Sequence, residues 1–133
     1  QGLAALDRAL ALEGRGPYVV QAAIAALHTE EPTDWAQIAA LYGELARLTG
    51  SPVVELNRAI AVAEVEGPGA ALAILDRLDL DDYRYLHSTR GEMLRRLDRV
   101  DEARAAYRRA LALIDDDAER RLVERRLADL PEG

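Results

Sequence analysis

Two stretches of this chain repeat one another at a fixed distance. Ala59, Val62, Val65, Ala71, Leu75 and Leu78 follow the same internal spacings as Gly91, Leu94, Leu97, Ala103, Tyr107 and Ala110, each 32 positions after its counterpart. A period of that length is the length of a helical hairpin. The residue types give it a packing logic. A small residue in the first helix and another early in the second let two backbones approach closely, and the bulky residue four positions later fills the gap beyond. A hairpin of this size cannot bury its apolar stripe alone, so the repeat predicts a stack in which each hairpin covers its neighbour.

Proline and acidic residues predict where the helices of that stack begin. Pro17, Pro52 and Pro68 each follow Gly or Ser and fit a first helical position, where the fixed φ suits and the missing N–H costs nothing. Thr33 reads as an N-cap with Asp34 behind it at the positive helix end, and Asp81-Asp82 and Asp101-Glu102 read as later starts. These signals predict about eight helices, near 3–13, 17–30, 34–48, 52–66, 68–78, 82–97, 101–114 and 116–129. Short connections make successive helices antiparallel. No segment alternates β-branched residues, so no strands are expected. The expected fold is all-α, a right-handed superhelical stack of antiparallel hairpins in one domain spanning 1–133. Its repeats lie near 52–79 and 83–115, with a divergent hairpin over 17–48 and capping helices at 3–13 and 116–129.

Composition narrows the function. All 17 basic residues are Arg, and they face 24 acids for a net charge of −7. The imbalance lies in residues 1–83, with 5 Arg against 13 acids. Residues 84–133 hold 12 Arg against 11 acids, interleaved as on solvated helix faces. A free-standing nucleic-acid binder needs a basic face to displace counterions from phosphates, so direct nucleic-acid binding is not expected. The absence of Cys removes disulfides and thiolate metal sites. No apolar run approaches the ~20 residues that span a bilayer. No membrane association is expected. With no leader segment at Gln1, the chain reads as a piece of a longer cytoplasmic protein.

Catalytic chemistry is poorly supplied. His28 and His87 fall on different helices, Ser51 reads as a cap, and Ser88 directly follows His87, so its side chain points about 100° away. His28, Glu30 and Asp34 could only form a metal site across the break at Pro32, and His28 reads instead as a helix-end residue. The runs Asp79–Asp82 and Asp115–Asp117 lack the spacing of a calcium loop. No catalytic residue, metal ligand or cofactor is therefore assigned. A small helical enzyme would need a pocket holding His28 or His87 beside a carboxylate.

The small, bulky and small pattern of Gly91, Leu94, Ala103, Tyr107 and Ala110 resembles the tetratricopeptide repeat, whose usual period is 34. Here the period is 32, His87 replaces a large apolar residue, and Asp115 stands where Pro is common. The irregular first half carries a second resemblance. The runs Gly16-Pro17-Tyr18-Val19-Val20-Gln21-Ala22-Ala23-Ile24-Ala25-Ala26-Leu27-His28, Thr33-Asp34-Trp35-Ala36-Gln37-Ile38-Ala39-Ala40-Leu41-Tyr42 and Ser51-Pro52-Val53-Val54-Glu55-Leu56-Asn57-Arg58-Ala59-Ile60-Ala61-Val62-Ala63 resemble the C-terminal tetratricopeptide-like extension of bacterial extracytoplasmic-function RNA polymerase sigma factors. That resemblance implies a module regulating transcription initiation through protein contact. The partner would be its own N-terminal sigma regions (absent from this sequence), RNA polymerase or a regulatory protein. The alternative is a stand-alone scaffold or adaptor with the same fold and no sigma role.

Candidate protein-contact residues follow from the inner helices of such hairpins. Tyr18, Gln21 and His28 fall along one face with Ala25. Trp35 and Tyr42, seven apart, share a face whose first expectation is core packing. Asn57 sits in an otherwise apolar helix, where it either meets a partner or bonds a neighbouring loop. Arg58 and Arg90 lie beside small repeat positions and are expected to pair with acids on adjacent hairpins.

Overall fold

The computed structural model describes residues 17–131, so the helix expected over 3–13 lies outside the described residues. Every regular element among the described residues is an α-helix, seven in all. The chain divides into two compact units at the Gly67-Pro68 link.

The first unit contains α1 (Pro17–His28), α2 (Trp35–Thr49) and α3 (Pro52–Glu66), with α2 packed against both neighbours. Pro17 and Pro52 open their helices as expected. Thr33 does not cap α2. Asp34 takes that position, its carboxylate accepting from the Gln37 backbone N–H at 3.2 Å and from Gln37 Nε2 at 2.6 Å. A carboxylate satisfies an orphan helix donor and also meets the positive helix end. Thr33 instead donates its hydroxyl back to the Glu30 carbonyl. Gly50 ends α2 at φ 64°, a left-handed cap open to glycine without strain, and returns its N–H to the Ala46 carbonyl. Ser51 then caps α3 through the Val54 N–H. The core joins Val20, Ile24 and Leu27 of α1 to Ile38, Leu41 and Leu45 of α2 and Ala61 of α3. Their i, i+3, i+4 spacing is one helical stripe.

The second unit contains α4 (Pro68–Leu75), α5 (Arg84–Arg96), α6 (Val100–Leu113) and α7 (Asp117–Ala128). Here α5 packs on α4 and α6, and α7 packs on α6. Helix α4 stops three residues short of its expected end. The N–H groups of Arg77 and Leu78 bond carbonyls three residues back, tightening the chain into a turn. Helix α5 begins at Arg84, not at Asp81-Asp82, and Tyr83 at its cap position makes no side-chain cap bond. The Asp81 carbonyl accepts instead from His87 Nε2 at 2.7 Å and from Arg109 at 3.5 Å. Asp116 caps α7 through the Glu119 N–H at 2.9 Å.

The repeat positions meet as their sizes require. Gly91 and Tyr107 are fully buried across the α5–α6 contact, and the Tyr107 ring lies where a Gly91 side chain would be. A Cβ built at Gly91 would stand 2.7, 2.8 and 2.9 Å from three ring carbons. The glycine is there for close approach, since its helical conformation is ordinary. Gly91, Leu94, Ala103, Tyr107 and Ala110 are all buried, whereas Leu97 and its counterpart Val65, which share the period, are exposed.

Candidate protein-binding surface

The sequence-expected contact residues divide between the two units. In the first, Tyr18 is 83 % exposed and Gln21 and His28 are exposed, all on α1 away from Val20, Ile24 and Leu27. His28 ends α1 and meets the Trp35 ring edge-on at 5.6 Å, so these two candidates are brought together across the α1–α2 connection. Trp35 and Tyr42 are half-buried against the unit's core, which accounts for their spacing of seven. Burial raises the Tyr42 phenol above its ordinary value. Asn57 is half-buried on α3. Arg58 bonds Glu55, one turn back in its own helix, at 2.6 Å. Its expected pairing with an adjacent hairpin is thereby corrected, because Glu55, three residues back on the same helix face, lies within reach of the guanidinium.

In the second unit Arg90 does reach a neighbouring helix turn, pairing with Asp76 just beyond α4. Ser88 donates to the Tyr85 carbonyl, and His87 is held by the Asp81 carbonyl.

A more organised surface lies where sequence reasoning assigned none. Helices α5 and α7 each pack on α6, and their side chains bridge to one another at both ends. At the N-terminal end Arg84 grips Glu119 with two nitrogens, at 2.6 and 3.3 Å, while Tyr85 donates its hydroxyl to the same carboxylate at 2.6 Å. The Arg84 guanidinium sits 4.5 Å from the Tyr85 ring centre, and Tyr83 meets that ring edge-on at 5.3 Å. Hydrogen bonds from Arg84 and then Tyr85 hold the Glu119 carboxyl below its ordinary range.

At the C-terminal end Glu92 is the hub. Its oxygens accept from Arg95 at 2.6 and 3.1 Å, from Arg96 at 3.0 Å and from the Tyr107 hydroxyl at 3.4 Å. Arg126 of α7 stands 3.7 Å away. Burial works against the ionised Glu92, but the bonds from Arg95 and Arg96 outweigh it and lower the carboxyl below its ordinary value. Glu92, Arg95, Arg126 and Asp129 line a pocket of about 270 Å³.

The two ends share one register. Tyr85 and Glu119 are 34 positions apart, and the same interval separates Glu92 from Arg126 and Arg95 from Asp129. The α5-to-α7 step is thus two residues longer than the step between the earlier repeats. That signal was present in the sequence, as Tyr85, Ser88, Glu92 and Arg95 against Glu119, Leu122, Arg126 and Asp129. Five of these eight side chains are charged and the paired positions differ in residue type, so no repeated size pattern marks the interval.

Paired helices joined by short turns, with buried small-on-large contacts between them, define a helical-repeat protein-interaction domain. The chain belongs to the tetratricopeptide repeat-like domain family, which it matches over residues 50–132. It is 46 % identical, over 136 aligned residues, to an uncharacterized protein of Rhizobium meliloti (strain 1021), a match covering 98 % of this chain and 32 % of that protein. The chain therefore spans about a third of that relative's length. Its fold is similar to the Arabidopsis OM64 TPR domain, with a TM-score of 0.68 at 24 % identity over 86 % of this chain and 95 % of that one. It is also similar to the first TPR of Spaghetti (RPAP3), solved bound to the HSP90 peptide SRMEEVD. There the TM-score is 0.63 at 20 % identity, with the same coverage of each chain. Among the described residues no helix is long and apolar enough to cross a membrane, and no group of three His, Cys, Asp or Glu side chains could hold a metal ion.

Proposed function

We propose that this tetratricopeptide-like module regulates transcription initiation as the C-terminal part of an extracytoplasmic-function-type sigma factor, restraining or licensing the sigma regions by protein contact. The observation that carries the reading is the set of family-like runs, which occupy α1, the start of α2 and most of α3, where a generic repeat has no reason to reproduce them. The relative from Rhizobium meliloti adds support, because two thirds of it lies outside the match and leaves room for further regions. Candidate contact residues on the first unit are Tyr18, Gln21, His28, Trp35, Asn57 and Arg58, with Arg90 on the second.

The test is removal of residues 1–133 from the parent protein, with transcription from its target promoter as readout. Changed output is expected, and unchanged output refutes the regulatory role.

A second reading, a scaffold or adaptor without a sigma role, is favoured by the similar TPR solved with a bound peptide. Co-purification of the module with its parent's remaining regions separates the two. Direct association supports the sigma reading, and its absence alongside unchanged promoter output leaves the adaptor.

A further inference from the structure

Helix α7 is fastened to its unit differently from the helices it packs on. Seven of its twelve residues are charged, three acids and four Arg, which leaves few apolar side chains to pack. Within the helix only Val123 is buried, while Leu127 is half-buried and Leu122 is 46 % exposed. Helix α6 by contrast buries Ala103, Ala106, Tyr107 and Ala110. Apolar anchoring of α7 is otherwise confined to its flanks, at Ile114 and Leu130. An isolated helix of about twelve residues is marginal in water, so α7 depends on its docking. Along its length that docking is polar. Near its start Glu119 receives Arg84 and Tyr85, and near its end Arg126 stands 3.7 Å from Glu92. Arg120 donates back to the Ile114 carbonyl at 2.7 Å, and Arg104 of α6 donates to the Pro131 carbonyl at 2.9 Å. The four side chains of the two ion pairs are between 18 % and 47 % exposed, so salt reaches and screens them. The apolar contacts that join α5 to α6 are not weakened in that way. The connection between α6 and α7 also suits separation. Ile114 and Asp116 are both extended, at ψ 130° and 131°, and Asp116 caps α7 through the Glu119 N–H, so the helix carries its own cap with it.

We infer that α7 is an electrostatic clasp, which opens as a unit of its own when ionic strength rises, leaves α5 and α6 folded, and uncovers the face of α6 on which it packs. This device goes beyond the function proposed above and does not depend on what the module binds. Local opening of this kind has its own free energy, below that of global unfolding, and amide hydrogen exchange reads it residue by residue. Exchange of the full chain followed by NMR at roughly 0.05 M and 1 M NaCl therefore tests it, because the screening length shrinks several-fold over that range. At low salt the amides of α7 should already exchange faster than those of α5 and α6. At high salt α7 protection should fall by a further factor of about three or more, the combined worth of two exposed ion pairs, while α5 and α6 keep theirs.

Arg84→Gln with Arg126→Gln removes the basic partner at each end of the clasp. At low salt this variant should show the α7 exchange that the parent shows at high salt, and added salt should then change it little. Arg108→Gln with Arg121→Gln removes the same amount of charge from exposed positions outside the two bridges and should behave as the parent does. Protection of α7 equal to that of α6 at low salt would mean that the helix opens only with the whole unit, and overturns the inference. So does α7 exchange that salt leaves unchanged, or a loss of protection shared equally by α5, α6 and α7. An Arg84→Gln/Arg126→Gln variant with parental exchange and parental salt response overturns it as well, since the fastening would then lie elsewhere. A variant of this pair that lost protection throughout α5 and α6 would show the bridges to be part of the global fold, and overturns the clasp on that ground.

Discussion

Replacing Gly91 by Ala puts the packing rule behind the repeat to a quantitative test. In an ordinary helix interior this change stabilises by about 1 kcal/mol, because Gly loses more backbone freedom on folding. Here the new Cβ would enter the Tyr107 ring, at 2.7 Å from Cε1, 2.8 Å from Cδ1 and 2.9 Å from Cζ. The ring is fully buried and cannot swing outward. Either α5 and α6 separate or the ring leaves its rotamer, and such overpacking costs about 1–3 kcal/mol. Three simultaneous overlaps with an aromatic ring place the cost in the upper half of that range. The net expectation is a loss of about 1–2 kcal/mol, or a melting temperature lower by roughly 4–8 °C. Urea unfolding followed by circular dichroism at 222 nm reads it directly. Gly69→Ala is the internal control. That residue is exposed in the first turn of α4 with nothing within 4 Å of the added carbon, so the same substitution should be neutral or stabilise by up to ~1 kcal/mol. A Gly91→Ala variant as stable as the parent, or two glycine variants that shift alike, would refute the close-approach account.

Three further outcomes follow from the structure. Asp34→Ala removes the cap of α2 together with the hydrogen bond to the side-chain amide of Gln37, a residue 7 % exposed. A lost cap costs ~1 kcal/mol and a stranded buried amide ~1–3 kcal/mol, so a loss of about 2–3 kcal/mol in urea unfolding is expected, beyond that of a simple cap deletion. Glu92 has a carboxyl lowered in the folded state from its ordinary 4.5, so it contributes stability that is present above pH 4.5 and is lost as pH falls through the lower folded value. Glu92→Gln should therefore destabilise the protein at neutral pH and flatten that part of the acid limb, and an unchanged acid limb in pH-dependent unfolding would count against the charge hub. Arg84→Gln should change stability little despite its geometry, because the Arg84–Glu119 pair is open to solvent. A larger loss in thermal unfolding would mean that the latch is more than a surface pair.

The helical hairpins were legible because they obey local rules. Pro17, Pro52, Pro68 and Ser51 mark helix starts through backbone chemistry that acts within one turn, and the structure begins helices there. The spacing of Gly91, Leu94, Ala103 and Tyr107 could be read because small-on-large packing in a repeat is a property of sequence interval. Errors fell where two local signals competed. Thr33 and Asp34 both offer a capping oxygen, and only the observed backbone shows that the carboxylate reaches the Gln37 N–H. Asp81 and Asp82 looked like a helix start, but the Asp81 carbonyl is held by His87 and Arg109, and the turn ends two residues later.

By itself, then, the sequence determined the helices of the described residues, their order and the residue sizes at the α5–α6 contact, whereas the structure turned the Tyr107 ring onto Gly91 of its own hairpin and not into the gap beyond. Those depend on residue size, φ preference and a period that survives without knowledge of the neighbours. The tertiary structure alone decided where the charges go. Glu92 precedes Arg95 and Arg96 by three and four residues and looks like an ordinary solvated helix pair. Only the packing of α7 against α6 brings Arg126 and Asp129 to it, from 34 and 37 positions away, and opens the pocket between them. Long, flexible Arg side chains choose partners by distance in space, and no interval in the chain fixes that distance until the helices have docked.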